Sequence, residues 1–133
     1  MKISASIQSK LNHQQTFVQT NESVKEIKID PKTSGFGSSI NGGELLLLSL
    51  ATCFCNDIYR EAAKRNIIII SSIDVEVTGD FGAEGEPGSN FKYKTNIVSD
   101  SPAAEIEELI TYTDKVAEIH NTLRQGLNVT LVK

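Results

Sequence analysis

The sequence predicts an α+β fold of order βββ-α-ββ-α-β, and three observations carry the prediction. Period-two alternation of apolar and polar residues fills the first thirty positions and returns between Ile73 and Ile97. A long apolar run, Leu45 to Cys55, lies between these two strand-rich regions and has helical length. A second helical stripe follows from Ser101 to Gly126. No repeat or composition break divides the chain, so residues 1–133 read as one domain. A chain of this size buries roughly two thirds of its unfolded surface and needs no disulfide or metal to fold.

The elements follow in order. Ile3, Ala5 and Ile7 alternate with Lys2, Ser4, Ser6 and Gln8, as a half-buried strand requires. Asn12-His13 breaks the pattern, and Thr16 to Gln19 reads as a second strand. After Asn21-Glu22-Ser23, Ile27 and Ile29 alternate with Glu26 and Lys28 in a third, which makes an antiparallel meander. Asp30 to Gly43 holds four glycines and several turn formers, so it reads as a loop. Glu44 opens a helix expected to end near Asn66, with a carboxylate at the positive end of the helix dipole. Its first half is apolar on nearly all sides, which predicts burial all round, and its second half is amphipathic.

Ile73, Val75 and Val77 then face one way on a fourth strand; Phe91, Tyr93, Thr95 and Ile97 do so on a fifth. A glycine-rich connection, Gly79 to Asn90, joins them. Ser101 at the N-cap and Pro102 at the first helical position start a second helix. Its stripe runs through Ile106, Leu109, Ile110, Val116, Ala117, His120 and Leu123, and Gly126 ends it. Leu127, Val129 and Leu131 alternate as a last strand.

Charge and composition exclude several functions. Seventeen acidic against thirteen basic residues give a net charge of −4, which argues against a nucleic-acid partner. Leu45 to Cys55 is about half the length of a membrane span, so no membrane partner is expected. The opening residues lack the apolar segment of a signal peptide, and two cysteines two positions apart are no secreted disulfide framework. The expectation is a cytoplasmic protein. Gly35-x-Gly37 lacks the remaining parts of a phosphate-binding loop, and no cofactor is expected.

Two residue types could carry chemistry. Cys53 and Cys55 lie about 200° apart around the helix, so they cannot pair without unwinding it. Cys53 shares a face with Ser49, Asp57 and Arg60; Cys55 shares one with Leu48, Thr52 and Tyr59. Both suit core packing, and the polar face of Cys53 also suits a reactive thiol. Cys53 lies too far along the helix for its dipole to act, so a lowered pKa would need a cation such as Arg60. His120 falls on an apolar stripe, where a packed core histidine and a proton carrier are both open readings. These residues and His13 do not make a metal-ligand set, and none is expected.

The stretch from Asn41 to Cys53 resembles the Pro-x-Glu-Leu-Leu-x-(4)-Ala-x-Cys helix of the OsmC/Ohr family of hydroperoxide-detoxifying proteins, with Glu44 nine positions before Cys53. Thr113 to Leu123 is similar to that family's Ala-Asp-Lys-x-Cys-Pro-Val-Ser-Asn-Thr-Leu segment. The resemblance implies an intertwined homodimer with two central helices, which agrees with a helix apolar on every side. It implies Cys53 as the peroxidatic thiolate, oxidised to a sulfenic acid, with Glu44 as a further site residue; in a one-cysteine cycle His120 would assist as a base or proton donor. The family's resolving cysteine is replaced by Ala117, with Glu118 after it in place of Pro, and no Arg precedes Arg60. The expectation is therefore a one-cysteine thiol peroxidase of the oxidative-stress response. It would use an organic hydroperoxide and an external thiol reductant. The alternative is a non-catalytic dimer that binds a small hydrophobic ligand at its interface.

Overall fold

The computed structural model describes residues 1–66 and 69–133. The chain forms two compact units, Met1–Leu45 and Leu46–Lys133. The first is an antiparallel meander of β1 (Ile3–Lys10), β2 (His13–Thr20) and β3 (Ser23–Glu26), with β2 in the middle. Lys10 faces His13 and Thr20 faces Ser23, so each hairpin turns on two residues. Asn12 (φ 56°) and Asn21 (φ 50°) supply the left-handed backbone those turns need, a conformation that Asn tolerates. His13 thus begins β2 instead of breaking it. β3 ends at Glu26, earlier than its alternation predicts: Ile27 makes one last bond to the Thr16 carbonyl, and Ile29 is buried.

The following loop is tied across its base. Ser39 donates its N–H and its hydroxyl to the Asp30 carbonyl, and Pro31 bridges to Ser38. Helix α1 (Gly42–Arg65) then starts on a reciprocal cap. The Asn41 side chain accepts from the Glu44 N–H at 2.8 Å, and the Glu44 carboxylate accepts from the Asn41 N–H at 2.8 Å. The predicted helix bounds hold within two residues.

In the second unit, α1 continues and is followed by the hairpin of β4 (Ile70–Asp80) and β5 (Ser89–Ser99), then α2 (Ala103–Val116) and α3 (Glu118–Gln125). Val77 pairs with Tyr93 and Ile73 with Ile97, so the predicted apolar faces coincide. Phe54, Ile58 and Ala62 of α1 pack with Leu109 and Ala117 as the buried core, against Ile73, Val75, Tyr93 and Ile97. Phe54 meets Tyr93 edge to face at 4.8 Å. Gly79 is required where it stands, because a Cβ there would lie 2.3 Å from the Phe91 ring.

Three expectations are corrected. The second helix begins one residue late, at Ala103, with Pro102 as a cap whose carbonyl accepts from Glu105 and Ile106. It is also two helices. Ala117 leaves the helical region (ψ 108°) while staying fully buried, so the apolar stripe runs on through a break in the backbone. The final strand is not formed: residues 126–133 join no ladder among the described residues, and Val129 is 96% exposed. Alternation makes a segment competent for a ladder, but without a partner edge its backbone groups stay with water. Within the single chain Leu48 of α1 is 59% exposed.

Candidate functional site around Cys53

Cys53 is carried by the middle of α1, one position before the core residue Phe54, and is partly exposed. The i, i+4 spacing brings Asp57 over it, and the thiol donates to Asp57 Oδ2 at 3.3 Å. Arg60 Nη1 lies 2.9 Å from the other carboxylate oxygen of Asp57. The same nitrogen reaches Glu118 Oε1 at 3.1 Å, which joins α1 to the first turn of α3. On the far side Arg60 Nε meets Glu61 Oε1 at 3.0 Å, and Lys64 meets the same oxygen at 2.9 Å. Asp57 and Glu61 are 4% and 2% exposed, so both carboxylates depend on these partners.

The electrostatics oppose a ready thiolate. Burial pushes the Cys53 thiol above its ordinary value, and the hydrogen bond and charge of Asp57 push it the same way. The backbone of Ile119, in the first turn of α3, pulls it down. Burial also raises Asp57, against the bond from Cys53 and the charge of Arg60. Arg60, the cation the sequence offers as activator, is thus separated from the sulfur by a carboxylate. It pairs with three acids and acts on the thiol only through Asp57.

Cys53, Asp57 and Glu118 offer one sulfur and two carboxylate oxygens within 4.8 Å of one another. The guanidinium of Arg60 already bridges the two carboxylates, so the cluster is an ion-pair network with its own cation. Cys55 lies on the other side of the helix, in a shallow depression with Thr52 and Val75.

The other two predicted site residues are placed elsewhere. The carboxylate of Glu44 is engaged in the helix cap with Asn41. His120 is 4% exposed, with its ring 4.6 Å from that of Tyr93 and 5.6 Å from that of Phe54. Among the described residues neither of its nitrogens has a hydrogen-bond partner, so no such bond links it to Cys53. Burial lowers its pKa, as does the charge of Arg124, against the pull of Asp114. Beside it, Tyr93 donates to Asp114, which also pairs with Arg124 at 2.5 Å. The sequence reading missed this Tyr93–Asp114–Arg124 group and the role of Glu118. The first needs three elements to meet, and the second joins residues far apart in the chain.

The α+β chain thus combines a 24-residue helix, a two-stranded ladder and a thiol held in an ionic network. Its sequence matches the OsmC-like protein family over residues 35–132. The chain belongs to that family. It is similar to the crystal structure of an OsmC-like protein from Mycoplasma pneumoniae (25% identity, 98% of each chain covered, TM-score 0.63). A hydroperoxide resistance protein from Jannaschia sp. shares the fold at 19% identity, covering 96% of this chain and 87% of that one, with TM-score 0.56. So does an organic hydroperoxide resistance protein from Legionella pneumophila, at 20% identity, with 93% and 90% covered and TM-score 0.54. A comparison with curated proteins finds no match.

Proposed function

We propose that the chain is a slow one-cysteine thiol peroxidase of the oxidative-stress response, acting as a cytoplasmic homodimer on organic hydroperoxides. The observation that carries this reading is the free, partly exposed Cys53 thiol, whose proton is directed at a carboxylate 3.3 Å away. The hydroperoxide resistance described for the Jannaschia and Legionella proteins supports it.

In this reading the proton leaves Cys53 for Asp57 Oδ2, which burial has made a better base than an ordinary carboxylate. The thiolate attacks the outer peroxide oxygen, and the O–O bond breaks. The sulfur takes the hydroxyl as a sulfenic acid, and the leaving alkoxide takes the proton from Asp57 as an alcohol. One external thiol then displaces water to give a mixed disulfide, and a second releases Cys53 with oxidation of the pair. Ala117 stands where the family resemblance implies a resolving cysteine, so the sulfenic acid waits for that external thiol. Glu44 serves by fixing the start of α1. His120, gripped by Phe54 and Tyr93, serves by holding the α3 turn whose Ile119 backbone faces the sulfur.

Two free cysteines suit a reducing compartment. Among the described residues no helix is long and apolar enough to cross a membrane. Leu48 (59% exposed) and Tyr59 (47%) on α1, and Ile3 (67%) and Ile7 (57%) on β1, support a second copy as their cover. Light scattering that reads a stable folded monomer at micromolar concentration overturns the homodimer.

Intact-mass spectrometry after treatment with cumene hydroperoxide tests the chemistry. The expected result is a gain of one oxygen, then two, absent in Cys53→Ser. Loss of two hydrogens mapping to a Cys53–Cys55 link refutes the one-cysteine cycle. One observation favours a second reading: burial and Asp57 both hold the thiol protonated. A non-catalytic dimer that binds a small hydrophobic ligand at its interface would show no oxygen gain while its thiols remain open to alkylation.

A further inference from the structure

The thiol of Cys53 stands between two carboxylates of very different exposure. An oxygen of Asp57 and one of Glu118 lie within 4.8 Å of the sulfur and of each other. Asp57 is held by the thiol and by Arg60, and its side chain is 6% exposed. The Glu118 side chain is 64% exposed, so it is the carboxylate of this pair that a molecule arriving from solvent meets. It opens α3 just after the break at Ala117, and Arg60 of α1 holds its Oε1 at 3.1 Å.

The charges beside the sulfur do not cancel. The one positive charge of Arg60 is divided between Asp57 and Glu118, and its Nε faces Glu61 as well. Lys64 and Arg65 sit on Glu61 too. They are carried about 16–18 Å of helix rise beyond Cys53, outside the roughly 10 Å reach of a charge at ordinary ionic strength. Asp57, Glu118 and Arg60 therefore leave one negative charge at the thiol, and both carboxylates push its pKa up.

We propose that Glu118 selects by charge what reaches Cys53, so that the site admits uncharged and cationic hydroperoxides and thiols and turns anionic ones away. The proposal rests on Cys53 as the reacting thiol of the cycle above, and it narrows the external reductant to a thiol without net negative charge. An anionic reagent at the sulfur brings its charge to about 5 Å from Glu118, where salt-screened repulsion slows it roughly threefold per unit charge. A cationic reagent gains by the same factor. Asp57 is covered and bonded to the thiol, so it acts on ionisation, which every reagent reads alike.

Methanethiosulfonates of different charge test this without any peroxide. The Cys53 thiolate attacks the sulfenyl sulfur, a mixed disulfide forms, and methanesulfinate leaves with the electron pair of the broken S–S bond. The three reagents transfer a trimethylammonioethyl, a methyl or a sulfonatoethyl thiol. Each reacts with the full chain in a Cys55→Ala background, and every rate is divided by that of N-acetylcysteinamide, a neutral thiol. The cationic reagent is expected to outrun the anionic one about tenfold at about 20 mM salt, with the uncharged one between, and the ratio should approach one at about 0.5 M salt. Glu118→Gln should bring the low-salt ratio below about threefold. Glu84→Gln, an equal change of net charge on the β4–β5 connection, should leave it near the native value. A native ratio near one overturns the proposal, and so does a ratio that Glu118→Gln leaves intact. A variant that changes all three rates by one factor overturns it too, since Glu118 would then act on ionisation or on the docking of α3 alone. The salt series needs no variant, and a ratio that persists at high salt overturns the proposal even if Glu118→Gln fails to fold. Failure of the peroxidase reading shows separately, as no oxygen gain from cumene hydroperoxide in a chain that keeps its charge ratio.

Discussion

Asp57→Asn removes the charge that is hydrogen-bonded to the Cys53 sulfur and leaves that of Glu118 in place. It keeps the size of the side chain, replaces the carboxylate with a neutral amide whose oxygen can still accept, and removes the negative field that adds to burial in holding the thiol protonated. Two unit charges 3.3 Å apart would repel by about 5 kcal/mol at an effective dielectric of about 20. Arg60, 2.9 Å from the other oxygen of Asp57, cancels most of this. Solvent at the partly exposed sulfur screens more, leaving on the order of 1 kcal/mol. That corresponds to about five times more thiolate at neutral pH. The assay is the rate of alkylation by iodoacetamide against pH, in a Cys55→Ala background so that one thiol is read. Asp57→Asn should alkylate about fivefold faster at pH 7, with its profile moved to lower pH. An unchanged or slower rate in a variant with native circular dichroism would refute the electrostatic reading of the site. Alkylation needs no leaving-group proton, so it reports ionisation apart from any acid–base role of Asp57.

Three further outcomes follow from the packing. Phe54→Ala should cost about 3–5 kcal/mol in urea denaturation, because Phe54 is fully buried against Tyr93; a cost under about 1.5 kcal/mol would contradict the core assignment. His120 has a native pKa below its ordinary 6.5, so its contribution to stability is present above that value and is lost as pH falls through the native one. The melting-temperature gap between His120→Phe and the native chain should therefore widen in favour of the variant from pH 7.5 to pH 5.5, and a constant gap would sink the assignment. Gly79→Ala should destabilise by about 1–3 kcal/mol, since its Cβ meets the Phe91 ring at 2.3 Å; a neutral result in thermal melts would show that the ring moves freely.

Much of the fold was legible because local chemistry decides it. Ile73, Val75 and Val77 alternate on one strand and Tyr93, Thr95 and Ile97 on the next, and the register joins those sets. Glu44 was legible as a helix start, and its partner Asn41 stands three residues earlier, at capping-box spacing. The break at Ala117 was not legible, since a buried alanine continues the apolar stripe on either side of it. Leu127, Val129 and Leu131 carry a strand's pattern without the partner that makes a strand. At the site, the i, i+4 spacing of Cys53 and Asp57 lies in plain view, and so does Arg60. Their order in space was not, because only the fold puts the carboxylate between cation and thiol and brings Glu118 to the same guanidinium.

The β4–β5 ladder has a consequence for how the chain is made. A sheet of two strands has no interior strand, so among the described residues both eleven-residue members leave one side of their backbone unpaired. A newly synthesised chain therefore carries edges that can zip onto another extended segment as readily as onto the intended neighbour. Glu76 and Lys94, paired at 2.8 Å on the outward face, are the kind of charged residue that discourages flat stacking of such edges. A mutation that replaces either charge with an apolar group would remove that protection from the edges. That liability belongs to the shape of the sheet, and it would persist in a variant whose thiol had been removed altogether.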